Sequence, residues 1–374
     1  MSKENSIRII HISDIHLDSP FAGLDVREGD VRRREHREAF LSALARATEL
    51  GCELMLIAGD LFDCGYVTEA TVSAVMQAIE KLPFPVVLSP GNHDPYTSGG
   101  IYARKNLPKN LFIFTREEMD RFDFDELGVS VHGYAFLSNR YFHDPFDHPY
   151  ELRDGYVNLL CAHTELDETI PKFAPIKTSR FETSGFEYAA LGHVHKHAEP
   201  TRAGKTVYSY GGFAFGRSFD ELGFGRMLLV DVDRTAGANN IESVKIADKQ
   251  YAVESLDVSG AETEADVIAR INECITAGGY GKETSLRIIL GGTVSPNLTI
   301  PSTLGGSIPT ALLQIKNETL PVLDSDYLEN DLTLKGALYR QLLPRLRSDD
   351  ERERRVAAEA LRIGLCALEG KSFI

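Results

Sequence analysis

Short apolar runs alternate with polar clusters through the first half of the chain, and each cluster sits directly behind a run. Ile7–Ile12, Leu54–Ala58, Val86–Leu88, Val157–Ala162 and Tyr188–Leu191 are too short for buried helices, so they read as buried strands. Helical spacing fills the first two gaps. A helix is predicted over Val31–Leu50, with Phe40, Leu41, Leu44 and Leu50 near one face, and another over Thr68–Leu82. Pro83 and Pro85 stop the second helix before the next strand. This βαβαβ rhythm predicts a parallel sheet with covering helices.

The rhythm changes after about Leu107. Short strands now dominate: Leu111–Phe114, Val129–Phe136, Thr206–Tyr210 and Met227–Asp233 join the two named above. Val129 to Tyr134 alternates, which predicts one less apolar face. A second sheet packed on the first is the economical arrangement. Thr235 to Asn240 reads as a hairpin turn, and Ile241–Ala247 as a closing strand. A different unit begins near Lys249. It holds a strand (Tyr251–Val258), a helix (Glu262–Ala277), two strands (Ser285–Leu290, Thr310–Ile315) and helical segments over Tyr327–Leu346 and Asp350–Leu368. The expected domains are therefore 1–248 and 249–374. In the last segment Val356, Ala360, Leu361, Leu365 and Leu368 recur at near-helical spacing, which suits packing on its own domain or docking to a partner protein.

Composition narrows the class. The 374 residues are 43% hydrophobic and 25% charged, as expected of a globular protein of about two domains. No stretch approaches the ~18 apolar residues of a membrane helix. Met1 to Ser6 carries no signal-peptide core, so a cytoplasmic location is expected. Cys52, Cys64, Cys161, Cys274 and Cys366 are scattered and form no C-x-x-C pair, which fits a reducing compartment better than a disulfide or structural zinc framework. A net charge of −15 argues against tight autonomous binding to nucleic acid. It leaves open local basic clusters such as Arg27, Arg32, Arg33, Arg34 and Arg37, which also fit a solvated helix face.

The polar clusters carry the chemistry. They are Asp14-Ile15-His16, Gly59-Asp60-Leu61-Phe62-Asp63, Gly91-Asn92-His93-Asp94, His163 and Gly192-His193-Val194-His195. Each lies where open α/β sheets gather ligands, past the carboxyl end of a strand. Asp14 and His16, two apart on an extended exit, can grip one ion with an oxygen and a nitrogen. His193 and His195 repeat that spacing, although a turn there could send their rings to different ions. Asp60 has two oxygens and can bridge two cations. Asn92 adds an amide oxygen, and His163 another nitrogen. Alone, each cluster is more often a turn, a cap or a core histidine. Together they form the ligand set of a two-metal hydrolase with positions open for water and substrate. The oxygen and nitrogen donors, with no thiolate, fit Mn2+, Fe or Zn2+. His143-Asp144-Pro145-Phe146-Asp147-His148 looks similar but follows no apolar strand, and reads as a surface insertion.

These motifs, over roughly residues 7 to 235, resemble the calcineurin-like metallophosphoesterase superfamily. The resemblance implies an α/β (α+β) fold, a four-layer α-β-β-α sandwich, here followed by a small α/β capping domain and terminal helices. It assigns Asp14, His16, Asp60 and His195 to one ion, and Asp60, Asn92, His163 and His193 to the other. His93 becomes the general acid at the leaving oxygen, with Asp94 and Asp63 orienting His93 or the ligands. Ser13 to Phe21, Gly59 to Asp63 and Gly192 to Lys196 are most similar to the SbcD-type DNA repair exonucleases, and nearest their YhaO-like branch. That likeness implies manganese-dependent cleavage of DNA, a homodimer and an SMC-like ATPase partner engaged through the C-terminal region. Tyr210-Gly211-Gly212-Phe213 departs from the Tyr/Pro-Gly-Ser stretch common there. Phe21, Phe213 and Phe215 are candidates for stacking on an unpaired base, with core packing the alternative for at least one. Two rivals remain: a small-substrate phosphodiesterase or phosphatase on the same fold, and a catalytically inactive scaffold for an ATPase. Cys64 stands where the Ser/Thr phosphatase branch has an Arg.

Overall fold

A computed structural model describes residues 6–21, 25–295, 298–304, 309–322 and 325–368. The chain divides into two compact units, 1–250 and 251–374.

In the first unit, strand β1 (Ser6–Ile12), helix α1 (Val26–Glu49), β2 (Leu54–Ile57), α2 (Glu69–Glu80), β3 (Val86–Leu88) and β4 (Leu111–Ile113) follow in turn. The four strands pair in parallel, with Ile9 opposite Leu54, Met55 opposite Val86 and Val86 opposite Leu111. Such strands are covered on both faces, which is why they read as continuous apolar runs. Helix α1 starts five residues before its predicted start, at an Asp25 cap that accepts from the Glu28 amide. Its first turns are polar, so apolar spacing could not mark them.

A second sheet follows: β5 (Asp120–Phe124), β6 (Val129–Gly133), β7 (Val157–His163), a short helix α3 (Phe181–Ser184), β8 (Tyr188–Gly192), β9 (Thr201–Ala203) and β10 (Thr206–Tyr210), in the order β5-β6-β7-β8-β10-β9. Then β11 (Gly223–Asp233) returns antiparallel to β1, and β12 (Gly237–Asp257) leaves the unit. The 21 residues of β12 replace the two separate strands expected around Asp248.

Three apolar clusters hold these layers. One joins α1 and α2 to the first sheet, through Phe40, Leu44, Val75, Ile79, Ile10, Met55 and Ile57. Another fills the space between the sheets, with Ile9, Leu56, Val87, Val131, Leu159 and Val230. The third covers the outer face of the second sheet with Tyr134, Phe146, Phe181 and Phe186. Strand β6 is buried throughout, including the less apolar face that carries Ser130 and His132. Its polar residues are absorbed internally: Ser130 bonds to Asp123, and the His132 ring meets Asn158 at 3.2 Å. The His143–His148 stretch lies at the surface, with His143 and Asp147 exposed, and is anchored by buried Pro145 and Phe146. Phe146 packs on Phe181 and Phe186, while Asp144 and Asp147 pair with Arg180.

The second unit contains the end of β12, α4 (Glu264–Ala277), β13 (Thr284–Gly291), β14 (Thr293–Val294), β15 (Leu312–Asn317), β16 (Leu320–Pro321), α5 (Ser325–Asn330), α6 (Leu334–Leu346) and α7 (Glu351–Leu368). Thr263 and Asp266 form a reciprocal capping box at α4, whose Val267, Ile271 and Ile275 pack on Leu286 and Ile288. Thr333 caps α6, splitting the single helix predicted over 327–346. Leu361 and Leu365 of α7 are buried with Tyr339, whereas Val356 and Leu368 are exposed.

Candidate metal centre

The polar exits of β1, β2, β3, β7 and β8 meet at one rim of the first unit. Strand β1 ends at Ile12, so Asp14 and His16 do not lie on an extended exit. Both sit in left-handed turns, at φ 49° and 51°, as does Asp60 at 52°, and His193 reaches 99°. Non-glycine residues rarely adopt these conformations, and their concentration at one rim marks a strained, over-determined site. Backbone bonds between the first two exits hold the strain. The amides of Ile15 and His16 donate to the Asp60 carbonyl at 2.9 and 2.8 Å, and Leu17 donates to Leu61 at 3.0 Å. Glycine admits the close approach. A Cβ at Gly59 would lie 2.3 Å from His163 Nδ1, and one at Gly192 would lie 1.8 Å from the Ala58 carbonyl.

The candidate ligands converge. Asp60 Oδ2 lies 3.5 Å from His16 Nε2 and 3.4 Å from His163 Nε2, while Asp60 Oδ1 accepts the His93 amide at 2.9 Å. His195 Nε2 is 3.2 Å from His16 Nε2 and 3.7 Å from Asp14 Oδ1. Asn92 Oδ1 is 2.9 Å from His163 Nε2 and 3.3 Å from His193 Nδ1. Ligands held at ~2.1 Å in an octahedron lie roughly 3 Å apart, the scale of these separations. The two histidines of Gly192–His195 part company: the His193 ring faces Asn92 and His163, and the His195 ring faces His16 and Asp14.

The tautomers suit cations. His163 Nδ1 lies 3.0 Å from the Ala58 carbonyl, which can only accept, so in the neutral ring Nδ1 carries the proton and the Nε2 lone pair faces the site. His195 Nδ1 lies 2.7 Å from Glu221 Oε1, which can only accept, and 2.9 Å from Arg217 Nη2, which can only donate; the charged carboxylate at the shorter distance favours the proton on Nδ1. The lone pair of His195 Nε2 thus faces His16 Nε2, and a cation between the two satisfies both. Charge balance agrees. Burial works against a proton on His163, yet Asp60 and Asp14 raise its pKa to about 9. Burial, then the charge of His163, lowers His193 to about 3. The carboxylates demand positive charge, and burial makes His16 and His193 resist supplying it as protons.

His93 differs from the others. Its side chain is 44% exposed, and Nδ1 lies 3.5 Å from Asp63 Oδ1, a bond that raises its pKa. Asp94, expected to orient His93 or the ligands, turns to the Asp60 loop rather than to the His93 ring. Its buried carboxylate accepts the amides of Asp60, Leu61, Phe62 and Gly91 at 2.7 to 3.1 Å, and the Tyr102 hydroxyl. Burial and the charge of Asp60 push its pKa up to about 7, and its donors oppose that rise. Asp94 shapes the turn that carries Asp60. The three aromatic candidates for base stacking are also corrected. Phe21, Phe213 and Phe215 are 2–3% exposed; Phe21 and Phe215 pack around His36, under Arg32.

Two residues escaped the sequence. Glu221 accepts from His195 and also from the Arg217 amide (2.7 Å) and guanidinium (Nε, 3.1 Å). Burial works to raise its pKa, but the bonds from His195 and Arg217 hold it down at about 2. An Arg and a Glu four apart read as an ordinary surface pair. Because Glu221 is the acceptor at His195 Nδ1, Glu221→Gln is expected to weaken metal binding about 10- to 100-fold. Calorimetric titration with Mn2+ checks this, and an affinity within twofold of the parent would exclude the role.

Polar donors at the carboxyl ends of strands from two packed sheets, sharing one carboxylate, define the class of binuclear metallohydrolases. Residues 7–197 match the calcineurin-like phosphoesterase family, and the chain belongs to it. The chain is 24% identical to the DNA double-strand break repair protein Mre11 of Methanopyrus kandleri, over 89% of this chain and 75% of that one. It is 25% identical to the uncharacterized metallophosphoesterase YhaO of Bacillus subtilis, over 77% and 72%. It is 22% identical to a subunit of the nuclease SbcCD of Staphylococcus epidermidis, over 58% and 63%.

Proposed function

We propose that the chain is a two-metal phosphodiesterase that cleaves DNA, most simply as a repair nuclease using Mn2+, with Fe or Zn2+ as the other fitting ions. The observation that carries the hydrolytic reading is Asp60 Oδ2, poised within 3.5 Å of ring nitrogens from both halves of the ligand set. The DNA reading draws support from relatives named for double-strand break repair and nuclease activity.

When bound, the two ions supply Lewis-acid charge for the phosphoryl oxygens and lower the pKa of the attacking water. The chain's own residues do the rest. Asp14, His16, Asp60 and His195 would hold one ion, and Asp60, Asn92, His163 and His193 would hold the other. His93 stands at the exposed side of the cluster, its ring 4.6 Å from that of His16, and protonates the departing sugar oxygen. Asp63 orients that ring.

His93→Ala tests this division. The variant keeps both metals, and kcat on DNA falls roughly 10²- to 10⁴-fold. A nitrophenyl phosphodiester, whose leaving group departs as a stable anion, loses far less. Equal losses on both substrates would remove His93 from the proton-transfer role. A parent protein that cleaves the nitrophenyl ester and leaves end-labelled DNA intact would move the substrate to a small diester.

One relative is named as part of a nuclease of more than one kind of chain, and we extend the reading to a homodimer with an SMC-like ATPase partner engaged through 251–374. Val356, Ile363 and Leu368 of α7 are exposed and available for such a contact. Among the described residues no helix is long and apolar enough to cross a membrane, and we place the protein in the cytoplasm.

A further inference from the structure

A cleft of about 540 Å3 opens beside the metal centre, lined by Asp18, Pro20, Arg33, Arg34, Arg37 and Tyr66, among others. Its walls are the two loops that carry the site. Asp18 lies two residues past His16, and the Tyr66 amide donates to the Asp63 carbonyl at 2.8 Å. The third wall is the first half of α1.

The cleft is cationic where it is free. Both of its carboxylates are occupied: Asp18 accepts the Thr68 amide and hydroxyl at 2.9 and 3.0 Å, and Asp30 pairs with Arg33 at 2.5 Å. Arg37 is tethered to the Thr71 hydroxyl, which fixes its guanidinium in the wall. Arg34 is exposed and makes no ion pair among the described residues. Tyr66 is 60% exposed, so its ring is open to a stacking ligand. In a chain of net charge −15, this concentration of guanidinium groups is a local exception.

We propose that this cleft seats the nucleotide next to the scissile phosphate on an unpaired strand, its phosphate on Arg34 and Arg37 and its base on Tyr66. The proposal rests on the nuclease reading and deepens it to single-stranded ends. The volume suits about one nucleotide. Arginine with an exposed ring is the pairing that single strands require, phosphate tracking plus stacking without base identity. The five-arginine cluster thereby splits. Arg32 is structural, stacked 5.0 Å over the Phe215 ring and bonded to Glu35. Arg33, Arg34 and Arg37 face the cleft.

The test measures anisotropy of a fluorescent single-stranded oligonucleotide on the full chain in EDTA, across a salt series, alongside Mn2+-supported cleavage. Tyr66→Ala is expected to weaken binding roughly tenfold, and Tyr66→Phe to restore it. Arg34→Ala is expected to reduce the slope of log affinity against log salt by about 0.7, one phosphate contact. Arg46→Ala, at the far end of α1, serves as the charge control and should match the parent. In cleavage, the ratio of oligonucleotide to nitrophenyl-ester turnover should fall with binding. Tyr66→Ala and Arg34→Ala proteins that bind and cleave the oligonucleotide like the parent overturn the cleft alone. A parent that hydrolyses the ester and neither binds nor cuts the oligonucleotide overturns the cleft together with the DNA reading.

Discussion

Asp60→Ala is expected to abolish the hydrolytic activity, with a loss on the order of a thousandfold or more, and to leave the protein unable to retain a pair of metals through dialysis. One oxygen of this side chain faces His16 at 3.5 Å and His163 at 3.4 Å, so its removal takes a ligand from both halves of the centre. A binuclear centre contributes several kcal/mol of charge stabilisation to the transition state, and about 4 kcal/mol corresponds to three decades in rate. Asp60→Asn is the sharper variant. The amide oxygen can still accept the His93 amide, now held at 2.9 Å by Oδ1, so the turn around Gly91 is preserved. What is lost is the negative charge and the shared oxygen. Elemental analysis after dialysis should find less than the full complement of metal in both variants. An Asp60→Asn protein that holds two ions per chain and works within tenfold of the parent would disprove the bridge.

The strands that position this site were legible because parallel, doubly covered strands are written as uninterrupted apolar runs. Leu54 to Ile57 and Val86 to Leu88 carry no polar residue, and the ligand-rich turns follow at once. The geometry of those turns was not legible. Nothing in Asp14-Ile15-His16 announces φ values near 50°, because the conformation is imposed by bonds to Asp60 and Leu61, about 45 residues away. Asp120–Phe124 was missed as a strand because an edge strand with exposed Asp and Arg lacks an apolar run. Exposure was the other blind spot. Phe21, Phe213 and Phe215 and Tyr66 look alike as candidates for stacking, yet only tertiary packing separates the buried three from the exposed one. Glu221 is silent for a related reason: its partner His195 lies 26 residues earlier.

Asp94→Ala is expected to destabilise the first unit by about 4 kcal/mol or more, a larger effect on folding than the loss of any candidate ligand. The Asp94 carboxylate accepts four backbone amides and the Tyr102 hydroxyl in a fully buried position. Alanine leaves all five donors without an acceptor, and each buried unpaired donor costs about 1–3 kcal/mol. Taking the low end for the four amides gives the figure above, which for a unit of this size lowers Tm by roughly 8–16 °C. The three amides of Asp60, Leu61 and Phe62 are the ones that fold the β2 exit, so loss of activity should follow the loss of that turn. Asp94→Asn is expected to fall between, because it keeps one acceptor oxygen and sets an amide N–H2 against the remaining donors. Calorimetry and turnover measured on the same samples separate the two roles for Asp94. If Asp94→Ala melts within about 2 °C of the parent while turnover collapses, Asp94 acts in the reaction itself; a large drop in Tm, with turnover lost in step as the turn opens, makes it the anchor that holds Asp60 in place.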